Sequence, residues 1–450
     1  MLYAVIIVFF AGIAFYIYEY INKSAVWAFS SVNRHLSDGY MSGGKILDKN
    51  DEILAQTLSG KRVYHHDADV RKAMLHIVGD GSALIPTSIQ SRYSTELFGY
   101  NFVTGFGAPE YFTANQDIKL TVDSKICAAV AKSFKDKKGT ALAYNYRTGE
   151  LICMVSSPSY DVCDRPDWSR YSSGEYEGVY INRALSSAYT PGSIFKVFTT
   201  IAGLDYIPDI QSRSFNCEKV KIINGEKVTC MQKHGKISLK SALAKSCDIA
   251  FCDIATELGK AKMTDKLEKL GFNMPQYFEG MQLALSRYDV SKASAADLGW
   301  SGIGQYTDLV NPMHVLKIMG AVANGGVSVE PFMVRLVSIN GSNIAEKTSR
   351  FSSSPIISKS TADAVKEMMR FTMKDHYKDS VFGNIPMCAK TGTAEVGEDS
   401  LPHGWMVGFS YDDKFPIAFV VIVENGDFGI KSAGPIAGLM IKEIHSAMNR

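Results

Sequence analysis

The sequence lacks any strong imbalance of charge: 48 Lys and Arg face 46 Asp and Glu, a formal net charge of +2. A nucleic-acid partner is recognised by a basic excess or stripe, and composition offers none. Internal repeats and low-complexity linkers are also missing, which sets aside solenoids and disordered arrays. Long apolar runs are scarce, and there is only one. Residues 1–18 carry no charged side chain. As a helix, such a run spans roughly 27 Å, about the thickness of a bilayer core. It has no basic stretch before it and no clear A-x-A site after it, which argues against a cleaved signal peptide. No second run follows, so a single crossing by residues 1–20 is expected, with Tyr16, Tyr18 and Tyr20 at the interface. The flanking positives, Lys23 and Arg34, are too few to set the orientation.

What is present suits a globular protein. The chain has 450 residues, 46% hydrophobic and 21% charged, enough for two or three domains and a large core. Residues 21–40 are polar and mixed and read as a juxtamembrane helix. Residues 43–57 read as strand, turn, strand. Residues 58–115 hold several glycines and few apolar runs, as in a small mixed module. At Asp117 the texture changes. Strands are expected at 118–123, 139–146, 150–157, 403–412 and 415–425, with helices at 124–135 and 433–448. Strands at both ends around a helical middle predict an α+β domain over 116–450: an antiparallel sheet covered by helices.

Eight cysteines are present. Cys217 and Cys230 flank an alternating stretch centred on Asn224-Gly225, a hairpin-turn signal. A disulfide between them, a reduced pair, and a metal site recruiting His234 are all open readings. Cys247 and Cys252 lie five apart on an expected helix and read as packed thiols. Cys127, Cys153, Cys163 and Cys388 have no evident partner. The His65-His66-Asp67-Ala68-Asp69 cluster reads as a solvated loop rather than a metal site.

Three short strings carry chemistry. The first is Thr190-Pro191-Gly192-Ser193-Ile194-Phe195-Lys196. Pro-Gly makes a turn and helical periodicity follows, so Ser193 sits at a helix start with Lys196 one turn on, on the same face. A neutral lysine there can take the serine proton, and apolar neighbours favour the neutral form. Taken alone the string is a plain helix cap, and Ser42-Gly43-Gly44-Lys45 matches the same S-x-x-K spacing. The second is Lys245-Ser246-Cys247-Asp248, 53 residues after Ser193. Ser246 could relay a proton to a leaving amine, and Asp248 could bind substrate backbone or hold a lysine. The third is Lys390-Thr391-Gly392-Thr393 in a strand context. It has a cation and hydroxyls for a substrate carboxylate, and a glycine that allows close backbone approach.

In this order the strings form the S-x-x-K, S-x-N/D, K-T-G set of penicillin-binding proteins and serine β-lactamases. The chain resembles the class B penicillin-binding proteins, the monofunctional peptidoglycan D,D-transpeptidases. The likeness extends over nearly all residues after 40. It includes GGKILDKNDEILA, Arg62-Val63-Tyr64, His76-Ile77-Val78-Gly79, the stretch ending Ser159-Tyr160-Asp161, Asn182-Arg183-Ala184, Gly302-Ile303-Gly304-Gln305 and Ala323-Asn324-Gly325-Gly326. The resemblance implies an anchor at 1–20, a pedestal at 21–115 and a transpeptidase domain at 116–450, outside the cell. It implies that Ser193 attacks a stem-peptide D-alanine carbonyl, with Lys196 as base and Ser246 and Lys390 moving the proton. Backbone N–H groups of Ser193 and Thr393 would form an oxyanion hole. Asp248, Thr391, Gly392 and Thr393 would hold the substrate or a β-lactam. No cofactor or metal is implied, and the implied partner is a multispanning membrane glycosyltransferase. The sequence departs from the family at Asp248, where Asn is usual. A carboxylate accepts but does not donate, and its charge between Lys196 and Lys390 favours protonated lysines. Rival readings are a non-catalytic scaffold for a glycosyltransferase, a β-lactamase and a β-lactam sensor. The first is opposed by the intact nucleophile set, the second by the anchor and pedestal, the third by the single span.

Overall fold

The computed structural model describes residues 2–28, 43–98, 116–339, 342–346 and 355–449, apart from 60, 83, 168, 170–173, 175, 396 and 398–400. The apolar N-terminal run forms one helix, Leu2–Ala28. Within it Tyr3–Ile21, 19 residues with mean hydropathy 2.0, is long and apolar enough to cross a membrane. The helix continues into the polar stretch read as juxtamembrane; 29–42 lie outside the described residues.

Two compact units follow from the packing. The first comprises Met1–Leu120, Asp161–Arg165 and Val334–Lys347; the second is the remainder of the chain. The first holds a six-stranded sheet in the order Ser342–Glu346, Val334–Ile339, Asp117–Leu120, Ile46–Leu47, Ile53–Leu58, Lys61–Tyr64. Helix Ala68–Val78 begins at Asp67, whose carboxylate accepts from the Asp69 amide and caps the first turn. His65 is buried and its Nδ1 accepts from the Asp67 amide at 3.1 Å. The cluster read as a solvated loop is therefore a capped helix start. Arg71 forms a bidentate pair with Asp161, both bonds at 2.7 Å, which ties the 161–165 segment to this unit.

The second unit is built on a five-stranded antiparallel sheet ordered Met387–Ala394, His403–Ser410, Ile417–Val423, Gly139–Asn145, Leu151–Ser157. Every residue of Ile417–Val423 is buried, so helices cover both faces. Helix Gly429–Met448 packs on the central strands, as does Pro312–Ala323, which is buried along its whole length. Each large apolar side chain enclosed here contributes roughly 1.5–3 kcal/mol. Strands from both ends of the domain do meet in one sheet, as the sequence pattern predicts.

Candidate active site

The turn that carries Ser193 comes first. Pro191 is followed by a 3-10 turn, Gly192–Ile194, which runs directly into helix Phe195–Tyr206. Gly192 has φ +55°, and a Cβ there would lie 2.4 Å from the Thr393 carbonyl oxygen. Only glycine lets this turn approach the Lys-Thr-Gly strand so closely. The Gly192 amide donates to the Gly304 carbonyl at 2.9 Å, and buried Trp405 donates through Nε1 to the Thr190 carbonyl at 3.0 Å. The turn is pinned from both sides.

The turn puts Ser193 one helical turn before Lys196, whose side chain is fully buried. Lys196 Nζ lies 2.8 Å from Ser193 Oγ. It also reaches the Ser246 carbonyl and Oγ, each at 3.0 Å, and Asp248 Oδ1 at 2.7 Å. Ser246 stands between helices Leu239–Ala244 and Asp248–Lys269, in the left-handed region at φ +55°. That conformation is unusual for a residue with a Cβ and turns both its oxygens toward Lys196. Asp248 opens its helix, where the N-terminal dipole favours a carboxylate.

Lys390 lies on edge strand Met387–Ala394, paired with Val407. Its Nζ donates to Ser246 Oγ at 3.1 Å and to the Thr391 carbonyl at 2.8 Å. Hydrogen bonds thus run without a break from Ser193 through Lys196 and Ser246 to Lys390. Asp248 does favour the protonated form of Lys390, as the sequence reading expects, but it is the smallest of the three influences. Burial first, and the neighbouring Lys196 charge second, push Lys390 well below the usual lysine range, outweighing Asp248.

Ser193, Ser246, Asp248, Thr391 and Thr393 all line one cleft of about 590 Å³. Gly392 is buried behind it: a Cβ there would meet the Pro191 oxygen at 2.8 Å. The structure therefore brings together every residue singled out for catalysis and substrate binding. The sequence reading missed His376, Tyr377, Trp300 and Glu395, which share the cleft, and named Gln305 only as part of the family likeness. His376 and Tyr377 arrive on a single π turn, Met373–Tyr377, that continues helix Lys359–Thr372. Tyr377 and Thr391 share a hydroxyl–hydroxyl bond of 2.6 Å. Burial lowers His376 from its usual value. No local motif marks these two residues; only the π turn brings them to the strand.

All eight cysteines are free, including Cys217 and Cys230. The hairpin at Asn224-Gly225 forms with Val220 opposite Thr229. Cys217, however, belongs to a different ladder, opposite Gly235. Cys252 packs as expected, under Gly299. Cys247 instead turns toward Cys217, Cys230 and His234. Cys127 and Cys153, unmatched in the sequence, meet with Sγ atoms 3.8 Å apart.

Comparison with known proteins agrees with this geometry. The family described as the penicillin binding protein transpeptidase domain matches residues 139–442. The chain is 26% identical over 356 residues to the peptidoglycan D,D-transpeptidase PbpA of Mycolicibacterium smegmatis, covering 72% of this chain and 71% of that protein. It is 26% identical over 363 residues to MrdA of Acinetobacter baumannii, covering 71% of this chain and 53% of the relative, about half its length. Among solved structures, the ceftriaxone acyl-enzyme complex of penicillin-binding protein A from M. tuberculosis matches with a TM-score of 0.77. The identity is 23%, over 89% of this chain and 98% of that one. The D,D-transpeptidase domain of a peptidoglycan glycosyltransferase from Eggerthella lenta matches at 0.76 and 22% identity, over 90% and 99%.

Proposed function

The chain belongs to the penicillin-binding protein transpeptidases, and from that membership we propose that it cross-links peptidoglycan stem peptides through an acyl-enzyme on Ser193. The observation that carries the reading is the continuous hydrogen-bonded path Ser193–Lys196–Ser246–Lys390 at the floor of one cleft. In acylation, Ser193 Oγ attacks the penultimate D-alanine carbonyl while its proton passes to Lys196. The Oγ–C ester bond forms, the C–N bond to the terminal D-alanine breaks, and Ser246 passes a proton to the departing amine. Lys390, held toward its neutral form, first draws a proton from Lys196 through Ser246, which leaves Lys196 a free base, and then returns that proton to Ser246 as the amine departs. The developing oxyanion is taken up by the Ser193 and Thr393 amides. An amine from a neighbouring stem then attacks the ester and restores the serine. If water takes that place, the outcome is carboxypeptidase chemistry.

Asp248 orients Lys196 through the 2.7 Å bond, in place of an amide that would also donate. Thr391, backed by Tyr377, and Thr393 present hydroxyls to the terminal carboxylate of the stem peptide or of a β-lactam. Since the substrate lies outside the cytoplasm, the reading sets the catalytic unit on the outer side of a membrane crossed by the N-terminal helix. Glycan strands would be supplied by a multispanning glycosyltransferase. The test is gel labelling of the full chain with a fluorescent penicillin. Wild type should hold the label for hours and Ser193→Ala should take none. Labelled Ser193→Ala, or rapid release from wild type, would overturn the assignment.

A further inference from the structure

Beside the catalytic cleft, four potential ligand atoms converge from the ends of four neighbouring elements within residues 217–247. Cys217 ends strand Ser214–Cys217, and Cys230 follows strand Glu226–Thr229. His234 precedes strand Gly235–Ser238, and Cys247 is the N-cap of helix Asp248–Lys269. Their three sulfurs and one ring nitrogen all lie within 4.8 Å of one another. His234 Nδ1 is 3.5 Å from both Cys217 Sγ and Cys230 Sγ. Around a tetrahedral ion with Zn–S of about 2.3 Å and Zn–N of about 2.0–2.1 Å, the S···N edge is about 3.5 Å. The observed edges have that length before any ion is considered.

We propose that Cys217, Cys230, Cys247 and His234 Nδ1 hold one Zn²⁺ in a Cys₃His site that positions the Ser246–Asp248 segment of the catalytic cleft. The donor set is soft and four-fold, which suits zinc and does not suit magnesium or calcium. The three cysteines are buried. The Asp248 amide points at Cys230 Sγ at 3.4 Å, the kind of outer hydrogen bond that steadies a thiolate ligand. His234 Nε2 faces the Gln232 carboxamide at 3.3 Å, and the amide oxygen, once turned inward, accepts the Nε2–H of a metal-bound ring. Cys230 and His234 also line the cleft itself, which gives the ion a route in.

The functional consequence follows from chain position. Cys247 lies between Ser246 and Asp248, both of which contact Lys196. Ser246 is held at φ +55°, a conformation that surroundings must enforce. An ion gripping the next residue supplies that enforcement. Binding of metal and ordering of the motif then become one equilibrium. The cluster acts on Ser246 and Asp248 rather than on substrate, so its members are positioning residues.

The test begins with elemental analysis of the full chain purified in detergent without added metal. About one zinc per chain is expected. Ser193→Ala and Cys163→Ser should keep it, whereas His234→Ala and Cys217→Ser should lose it. Retention in Ser193→Ala separates this inference from the acyl-enzyme reading. Should the cluster variants fail to fold, Co²⁺ exchanged into the wild type carries the test: thiolate charge-transfer and tetrahedral d–d bands are expected. A chelator should slow acylation by fluorescent penicillin at least several-fold, and Zn²⁺ but not Mg²⁺ should restore it. Metal-free protein, or a disulfide among Cys217, Cys230 and Cys247 found by alkylation without reduction, would overturn the proposal.

Discussion

Replacing Gly192 by alanine isolates the close approach on which the active site depends. The added Cβ would lie 2.4 Å from the Thr393 oxygen, 2.8 Å from its carbonyl carbon and 3.0 Å from Ala394 Cα. All three are backbone atoms, so no side chain can swing aside. Restoring an ordinary contact of 3.4 Å requires the turn and the strand to separate by about 1 Å. The left-handed φ adds roughly 1–2 kcal/mol of strain for a residue with a Cβ. The displacement falls on Ser193 or on Thr393, on opposite sides of the reacting carbonyl in the proposed mechanism. A misplacement of that size costs on the order of 100-fold in rate. The assay is the second-order rate of acylation by a fluorescent penicillin. Gly225→Ala is the control, because Gly225 also has positive φ but no atom within 4 Å of a built Cβ. The control carries strain without collision and should acylate at the wild-type rate. A Gly192→Ala variant as fast as that control would refute the reasoning.

Asp248→Ala should destabilise the second unit by about 3–5 kcal/mol, because it strands a fully buried lysine. Asp248→Asn should cost clearly less, since the amide oxygen still accepts; denaturant unfolding of both variants decides it. Stability should also fall as pH drops from about 6.5 to about 4. Burial holds His314 down to about 4, so in that window the unfolded chain binds a proton that the native one refuses. At about 1.4 kcal/mol per unit the full loss is roughly 3 kcal/mol. His314→Gln should flatten the slope, and an unchanged slope would contradict this account.

Lys390 shows how a buried cation can be made useful. In the sequence its nearest argument was the charge of Asp248, which favours protonation. In the fold, complete burial and a second ammonium nearby oppose it and win. Asp248 spends its short bond on Lys196 instead. The two lysines therefore sit in different electrostatic surroundings although both touch Ser246 Oγ. Such a difference between paired groups is what a proton relay needs.

Much of the site was legible because its parts are local. A Pro-Gly turn before a periodic apolar stretch predicts a helix start, and three-residue spacing puts Ser193 and Lys196 on one face. The alternating run around Asn224-Gly225 predicts a hairpin, and the hairpin is there. Other features had no local mark. Val334–Ile339 pairs with Asp117–Leu120 across more than two hundred residues, and Asp161 pairs with Arg71, because unsatisfied edges and charges find partners anywhere in the chain. Cys247 read as a packed thiol because its helix was visible and its neighbours at 217, 230 and 234 were not.

Sequence alone determined the apolar helix, the strand and helix pattern, and the placing of Ser193 and Lys196 on one helix face, since each depends on residues within a turn or two of each other. Tertiary structure alone decided that three distant strings share one cleft, that Lys390 is pushed toward neutrality, and that three thiols and an imidazole converge. Burial and interatomic distance control charge and coordination, and both are properties of the folded chain.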